Sequence, residues 1–210
     1  MPTFSIIIPC YQYGRFLKAC AESVLAQQGV DLKILIIDDA STDTTPEEAA
    51  DLAARETRVE VRRHETNRGH IFTYNEGLDW AEGDYTLLLS ADDMLTPGAL
   101  ARAARLLNTH PEVGLVYGRV IYFDGEGAPV LSCPEDSQCD WRLIRGEIFF
   151  LEICASTYNP VPTPTAVVRT GLQKQIGGYR SNLPHTADLE LWQRFATESS
   201  VGVIDAPQAY

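Results

Sequence analysis

Residues 4–8, FSIII, and residues 33–39, KILIIDD, decide how this chain is read. Each holds a continuous apolar run rich in β-branched residues, the pattern of a strand buried on both faces of a parallel sheet. The first run ends at Pro9, the second at Asp38 and Asp39. Between them Phe16, Leu17, Cys20, Val24 and Leu25 repeat at helical spacing, and Gly29 stands just past the helix end. The alternation continues towards the C-terminus. Ser41, Thr42 and Asp43 offer caps for a helix through Glu47–Arg55, and Val59–Arg63 reads as a third strand. Ile71, Tyr74, Asn75, Leu78 and Ala81 mark a further helical face. Tyr85–Leu89 is a fourth strand, and Pro97 stands near the start of a helix that turns Leu100, Ala103, Ala104 and Leu107 inward. Repeated strand–helix units of this kind predict an α/β fold, a mostly parallel central sheet with helices on both faces.

The second half is less regular. Val113–Tyr117, Val120–Phe123, Thr165–Arg169 and Val201–Ile204 read as strands, and Asp124–Asp140, rich in Gly, Pro, Ser and acids, as a loop. Glu147–Cys154 and Asp188–Thr197 read as helices, the latter with Leu191, Trp192 and Phe195 on one side. Pro160, Pro162 and Pro164 make Asn159–Thr165 extended and stiff.

Composition bounds the function. The chain has 210 residues, ample for a buried core, and a formal net charge of -12. So acidic a surface excludes nucleic acid as a main partner, because phosphate backbones need a basic face. One small anion in a local pocket remains compatible, above all with a divalent metal as bridge. The five cysteines form no CxxC pair and read as thiols in a reducing, cytoplasmic compartment. No apolar run reaches the roughly 20 residues of a membrane helix.

Ligands of open α/β sheets bind beyond the carboxyl ends of the strands. Here those ends carry Pro9-Cys10-Tyr11, then Asp38-Asp39, then Asn67-Arg68-Gly69, then Ser90 with Asp92-Asp93. Adjacent carboxylates at a strand end repel unless a cation joins them, and hard cations such as Mn²⁺ or Mg²⁺ take oxygen ligands and hold substrate phosphates. The same pair could instead cap the helix after Pro97. Asp39 could accept from the N3–H of uracil while Tyr11 stacks on the base, or Asp38-Asp39 could be a cap and turn. Arg68 could meet a phosphate or a nearby acid. Asp188, at a helix start, is by itself best read as a cap. The four histidines show no HExxH or HxxxH spacing, so no zinc site is assigned.

Taken together, these blocks resemble the family-2 glycosyltransferases of GT-A fold. SIIIPCY (Ser5–Tyr11), SVLAQ (Ser23–Gln27), ILIIDDASTD (Ile34–Asp43), Asn67-Arg68-Gly69, LLLSADDML (Leu87–Leu95), Gly177-Gly178-Tyr179 and DLELW (Asp188–Trp192) follow the family's order over nearly the whole chain. The resemblance implies an inverting transfer from a nucleotide-diphosphate sugar, UDP being the family's commonest nucleotide, to the hydroxyl of a saccharide or lipid-linked saccharide. It implies that Pro9, Tyr11 and Asp39 line the base and ribose pocket and that Arg68 lies near the nucleotide. It implies Asp92 towards the ribose or sugar, Asp93 on the metal, and Asp188 as general base. Peripheral association with the inner face of a membrane fits the same resemblance. Four departures are visible. Ser90 stands where the metal motif often has an acid, and Ala187 where an acid often precedes the base. No QxxRW motif follows Trp192, which points to transfer of one sugar. The chain stops at Tyr210, where relatives usually continue. The expectation is therefore a single domain over 1–210, with 1–110 binding the nucleotide and 111–210 the acceptor, the second part cut short. A nucleotidyltransferase would show a Gly-rich phosphate loop after the first strand, where Pro9-Cys10-Tyr11 stands instead. A binding module with a decayed active site is the other alternative.

Overall fold

The computed structural model describes residues 1–122, 139–156 and 158–210. The first half follows the predicted alternation: β1 (Thr3–Cys10), α1 (Gly14–Leu25), β2 (Asp31–Asp38), α2 (Thr45–Arg55), β3 (Val59–Arg63), α3 (His70–Trp80), β4 (Tyr85–Leu88) and α4 (Ala99–Thr109). Then come β5 (Val113–Val120), β6 (Trp141–Ile144), α5 (Gly146–Ser156), β7 (Val167–Arg169), α6 (Thr170–Ile176), α7 (Ala187–Glu198) and β8 (Ser200–Ala209). Among the described residues the strands form one eight-stranded sheet in the order β3-β2-β1-β4-β7-β5-β8-β6. The pairs β1–β2, β2–β3, β1–β4 and β5–β8 are parallel, whereas β7 runs antiparallel to both β4 and β5, and β6 antiparallel to β8.

The continuous apolar runs are the reason both faces are covered. Side chains alternate along a strand, so Ile6, Ile8, Ile34 and Ile36 pack on one face against Leu17, Cys20 and Val24 of α1, Leu52 of α2 and Leu107 of α4. Ile7, Leu35 and Ile37 pack on the other against Ile71 and Leu78 of α3, with Phe149 of α5 and Trp192 and Phe195 of α7 further along that face. Each of these strand isoleucines is fully buried, worth about 1.5–3 kcal/mol apiece.

Helix α4 begins at Ala99, two residues after Pro97, with Gly98 in a left-handed conformation (φ 75°) between them. Several details depart from the expectations. The Pro-rich stretch is not wholly extended, since Thr163–Thr165 forms a 3-10 turn. The last strand runs on to Ala209, and β6 and α6 were not foreseen. Of the expected Val120–Phe123 strand, Val120 closes β5 and residues 121 and 122 continue no strand, while Phe123, most of the Asp124–Asp140 loop and Cys133 lie outside the described residues. Cys10, Cys20, Cys139 and Cys154 are free thiols. No helix among the described residues is long and apolar enough to cross a membrane.

Candidate active site

The strand order reverses around β1, whose neighbours β2 and β4 both run parallel to it. That is where an open α/β sheet leaves a crevice beyond its carboxyl edge. A cavity of about 420 Å³ opens there, lined among others by Pro9, Tyr11, Asp39, Gly69, Tyr74 and Asp92. Tyr11 and Tyr13 are 47% and 39% exposed at its rim, so their rings are free to stack on a planar ligand.

The loops that shape this cavity are locked to each other. Gln12 sits at φ 61° and Ala40 at φ 62°, positions that cost non-glycine residues about 1–3 kcal/mol each and that cluster at functional sites. The Gln12 N–H donates to Ser41 Oγ (3.0 Å), and Gln12 Oε1 accepts from the N–H groups of Thr42 and Asp43 (both 3.2 Å). Asp43 accepts from the Gly14 N–H at the start of α1 (2.9 Å) and from the Thr45 N–H and hydroxyl at the start of α2 (3.0 and 2.6 Å). These contacts hold the loops after β1 and β2 together across the mouth of the crevice.

Asp39 is nearly fully buried, yet it is held as a carboxylate. Its Oδ1 accepts from the Arg68 N–H (2.7 Å) and from His64 Nδ1 (2.7 Å), and its Oδ2 from the Gly69 N–H (2.9 Å). Burial alone would raise its pKa, but the hydrogen bonds from His64, Arg68 and Gly69 outweigh it and hold the carboxyl below its ordinary range. Gly69, at φ 84°, turns the chain so that two successive N–H groups meet one carboxylate. The other His64 nitrogen, Nε2, lies 2.9 Å from Glu76 Oε2 on α3. Burial would lower the His64 pKa, but the bonds to Asp39 and Glu76 raise it instead, favouring a ring protonated on both nitrogens. Asp38 turns away from the cavity, accepting from the Ser41 N–H (2.9 Å), with Arg63 Nε 3.1 Å from its second oxygen.

Asp92 is exposed and Asp93 partly buried in the loop after β4. No side chain or backbone donor among the described residues bonds the Asp93 carboxylate, and its pKa is pushed up to about 7, by burial first and then by the charge of Asp92. Asp92 also borders a second cavity, of about 600 Å³, together with Asp93, Thr163 and several aromatic rings. The Thr163 hydroxyl donates to Asp188 Oδ2 (2.9 Å), in the first turn of α7. Burial holds the Asp188 pKa above its ordinary range, against the Thr163 bond and the His70 charge. Tyr74 reports how near these acids are: burial, then the charges of Asp188, Asp92 and Asp93, push its phenol up to about 12.

The residues named from the sequence therefore fall into three places. Pro9, Tyr11, Asp39 and Asp92 line the first cavity, and Asp92 and Asp93 the second. Asp188 touches a wall of the second through Thr163. The Arg68 side chain lines neither; its guanidinium stacks on Phe72, 3.2 Å from the ring centroid, while its backbone N–H serves Asp39. Tyr74, Tyr13, His64 and Glu76 were not singled out from the sequence as site residues. In the sequence Tyr74 marks only a helical face, and the His64 pairing crosses from the loop after β3 to α3, a contact that no spacing announces.

The profile of the family described as Glycosyl transferase family 2 matches residues 5–159, more than half of the chain. A PGL/p-HBAD biosynthesis glycosyltransferase of Mycobacterium tuberculosis is 36% identical over 121 residues, 57% of this chain and 47% of that relative. Another curated mycobacterial relative is matched over 64% of its length, so the chain spans only part of these proteins. Among solved structures, S. aureus TarS residues 1–349 in complex with UDP-GlcNAc superposes with a TM-score of 0.76 at 22% identity, over 99% of this chain and 58% of that one. The mannosyltransferase PcManGT from Pyrobaculum calidifontis, in complex with GDP-Man and Mn²⁺, gives 0.71 at 19%, over 98% and 55%. At these identities the two structures speak for the fold, a GT-A sheet with helices on both faces. With its motifs in family order on that fold, and with the family profile matched from the first strand into the second half, this chain belongs to glycosyl transferase family 2.

Proposed function

We propose that this chain transfers one sugar, with inversion, from a nucleotide-diphosphate sugar to an acceptor hydroxyl. The observation that carries the reading is the junction at Asp92, where a nucleotide-sized crevice and a second cavity meet beside two further acids. Neighbours in fold that hold UDP-GlcNAc or GDP-Man support a nucleotide-sugar donor, UDP first. Tyr11 stacks on the base, Asp39 accepts from its N3–H with the oxygen that Gly69 leaves room on, and Pro9 closes the pocket. Arg68 contributes to the nucleotide site through its backbone, which fixes Asp39.

The acid pair fits a hard divalent cation. The Asp93 carboxylate has no hydrogen-bond partner among the described residues and sits beside a second carboxylate, an arrangement of oxygen donors that Mn²⁺ or Mg²⁺ suits. Among the described residues no third His, Cys, Asp or Glu joins the pair, and donor phosphates would add oxygen ligands to a cation held there. Asp93 would hold the metal, with Asp92 directed to the ribose or sugar; a bound cation supplies charge neutralisation on the leaving diphosphate. Asp188 takes the proton of the acceptor hydroxyl as that oxygen attacks the anomeric carbon, the carbon–phosphate oxygen bond breaks, and the nucleoside diphosphate leaves. A pKa held up by burial makes Asp188 the stronger base. The acceptor is a saccharide, free or lipid-linked, and the cytoplasm, at the inner face of the membrane for a lipid-linked acceptor, is the compartment that fits reduced thiols.

The test is thermal unfolding with UDP and Mn²⁺, separately and together, for the native chain and Asp93→Ala. A midpoint rise that needs both ligands and disappears in Asp93→Ala is the expected result. No shift with UDP, GDP or dTDP would refute the donor site, and binding without sugar transfer would make the chain a binding module.

A further inference from the structure

Resting on the donor and acceptor reading above, we infer that the second cavity selects an uncharged acceptor, a neutral sugar or glycoside presenting an apolar face, and rejects acceptors that carry phosphate or carboxylate near the reacting hydroxyl. The lining explains the choice. Phe16, Tyr122, Tyr158 and Tyr210 supply four aromatic rings, and Asp92 and Asp93 are the charged groups. No Lys, Arg or His is among the described residues that line it. A pyranose has one face made largely of C–H groups, which packs on an aromatic ring, and hydroxyls at its edge, which carboxylates and amides accept from; Asn159 adds such an amide.

An anionic acceptor meets the opposite conditions. It would lose water to aromatic rings and approach two carboxylates, with no cation among the described residues of the wall to compensate. The charge of a divalent cation on Asp93 is matched by the donor's own diphosphate and leaves the acid pair in place. The two arginines next to lining residues each have a partner already. Arg15 stacks on Phe16, 4.3 Å from the ring centroid, and Arg119 pairs with Asp205 at 3.5 Å.

Tyr122 and Tyr158 are 89% and 72% exposed, so neither supports the core and both can be removed without unfolding the chain. The experiment is saturation-transfer NMR and calorimetric titration on the native chain loaded with UDP and Mn²⁺, using p-nitrophenyl β-D-glucopyranoside, neutral methyl glycosides and glucose 6-phosphate as probes. The neutral glycosides bind, glucose 6-phosphate does not compete, and the Tyr122→Ala/Tyr158→Ala double variant binds the glycosides about ten-fold more weakly, the loss of two ring contacts. The UDP and Mn²⁺ midpoint shift of that variant stays as in the native chain. Tighter binding of glucose 6-phosphate than of the neutral glycosides, abolished by Arg15→Gln, overturns the inference, as does glycoside binding unmoved by the double variant. Absence of any UDP-dependent shift in the native chain sinks the donor reading itself and this inference with it.

Discussion

Asp39 and His64 are each driven away from their charged forms by burial and each drawn back by the other. The pH dependence follows from the two directions. The folded pKa of Asp39 is depressed, so its contribution is present above about pH 4, its unfolded value, and is lost as pH falls through the folded one. The folded pKa of His64 is raised, so its contribution is complete below about pH 6.5 and is lost as pH rises through the folded value. The pair therefore contributes most between about pH 4 and pH 6.5. The stability difference between the native chain and His64→Gln should peak in that window and narrow at alkaline pH; a difference that stays flat would show the ring to be neutral throughout. Asp188 carries a second prediction. Asp188→Asn keeps the Thr163 hydroxyl bond, preserves the UDP and Mn²⁺ shift, and lowers kcat by about 100- to 10,000-fold, the usual contribution of a positioned base. Loss of the ligand shift instead would assign Asp188 to binding. Much of this site was legible because acids at strand ends announce themselves. Pro9, Tyr11, Asp39 and Asp92 line one cavity, as their positions after parallel strands required. His64 was not legible, because its meaning depends on Glu76, twelve residues on and on another element.

At the level of elements, the Gly177-Gly178-Tyr179 motif shows how a sequence signature becomes a joint. Gly177 takes φ 84° at the end of α6. Asn75 of α3 then binds the next residue but one twice, donating to the Tyr179 carbonyl (2.9 Å) and accepting its N–H (2.7 Å). A Cβ on Gly178 would overlap the Asn75 carboxamide, which those two bonds hold still. Arg194 of α7 secures the same turn from the other side, donating to the carbonyls of Ile176 and Gly178 (2.6 and 2.7 Å). Gly178→Ala should therefore cost about 1–3 kcal/mol of stability, as overpacking does. In an Asn75→Ala background the obstacle is gone, so the same substitution should cost much less, and the two effects should be clearly non-additive in denaturant unfolding. Additive costs would place the clash elsewhere. The elements missed from the sequence have a common cause. Strand β6 is four residues long, with Arg142 and Leu143 exposed, and α6 is seven residues long, so neither is long enough to show a period.

Across the whole molecule, one sheet joins the first half of the chain to the second, and its last strand reaches back under the acid loop. Met94 and Tyr210 exchange backbone hydrogen bonds (Met94 N–H to Tyr210 O, 3.3 Å; Tyr210 N–H to Met94 O, 2.8 Å), and the Thr96 N–H donates to Gln208 O (3.0 Å). The junction is closed by Arg102, a guanidinium on α4 that is 2% exposed. It donates to the Pro97 carbonyl (2.9 Å), Thr96 Oγ1 (3.0 Å) and the Pro207 carbonyl (3.0 Å), so one buried side chain ties α4, the segment after Asp93 and β8. The hydrophobic runs of the sequence could specify β1, β2 and β4, but not this tie, because an arginine in a helix reads as a solvated face until its neighbours are known. Arg102→Met keeps most of the apolar volume and removes these three hydrogen bonds, at about 0.5–1.5 kcal/mol for each, while the Pro207 carbonyl keeps its bond from the Thr96 hydroxyl (2.8 Å). The midpoint should fall accordingly. If the acid loop owes its shape to β8, the part of the UDP shift that depends on Mn²⁺ should shrink as well, while the part due to UDP alone stays, since Asp39 and the tyrosines lie on loops that Arg102 does not touch. A lowered midpoint with an undiminished Mn²⁺-dependent shift would mean that Asp92 and Asp93 hold their places from β4 alone.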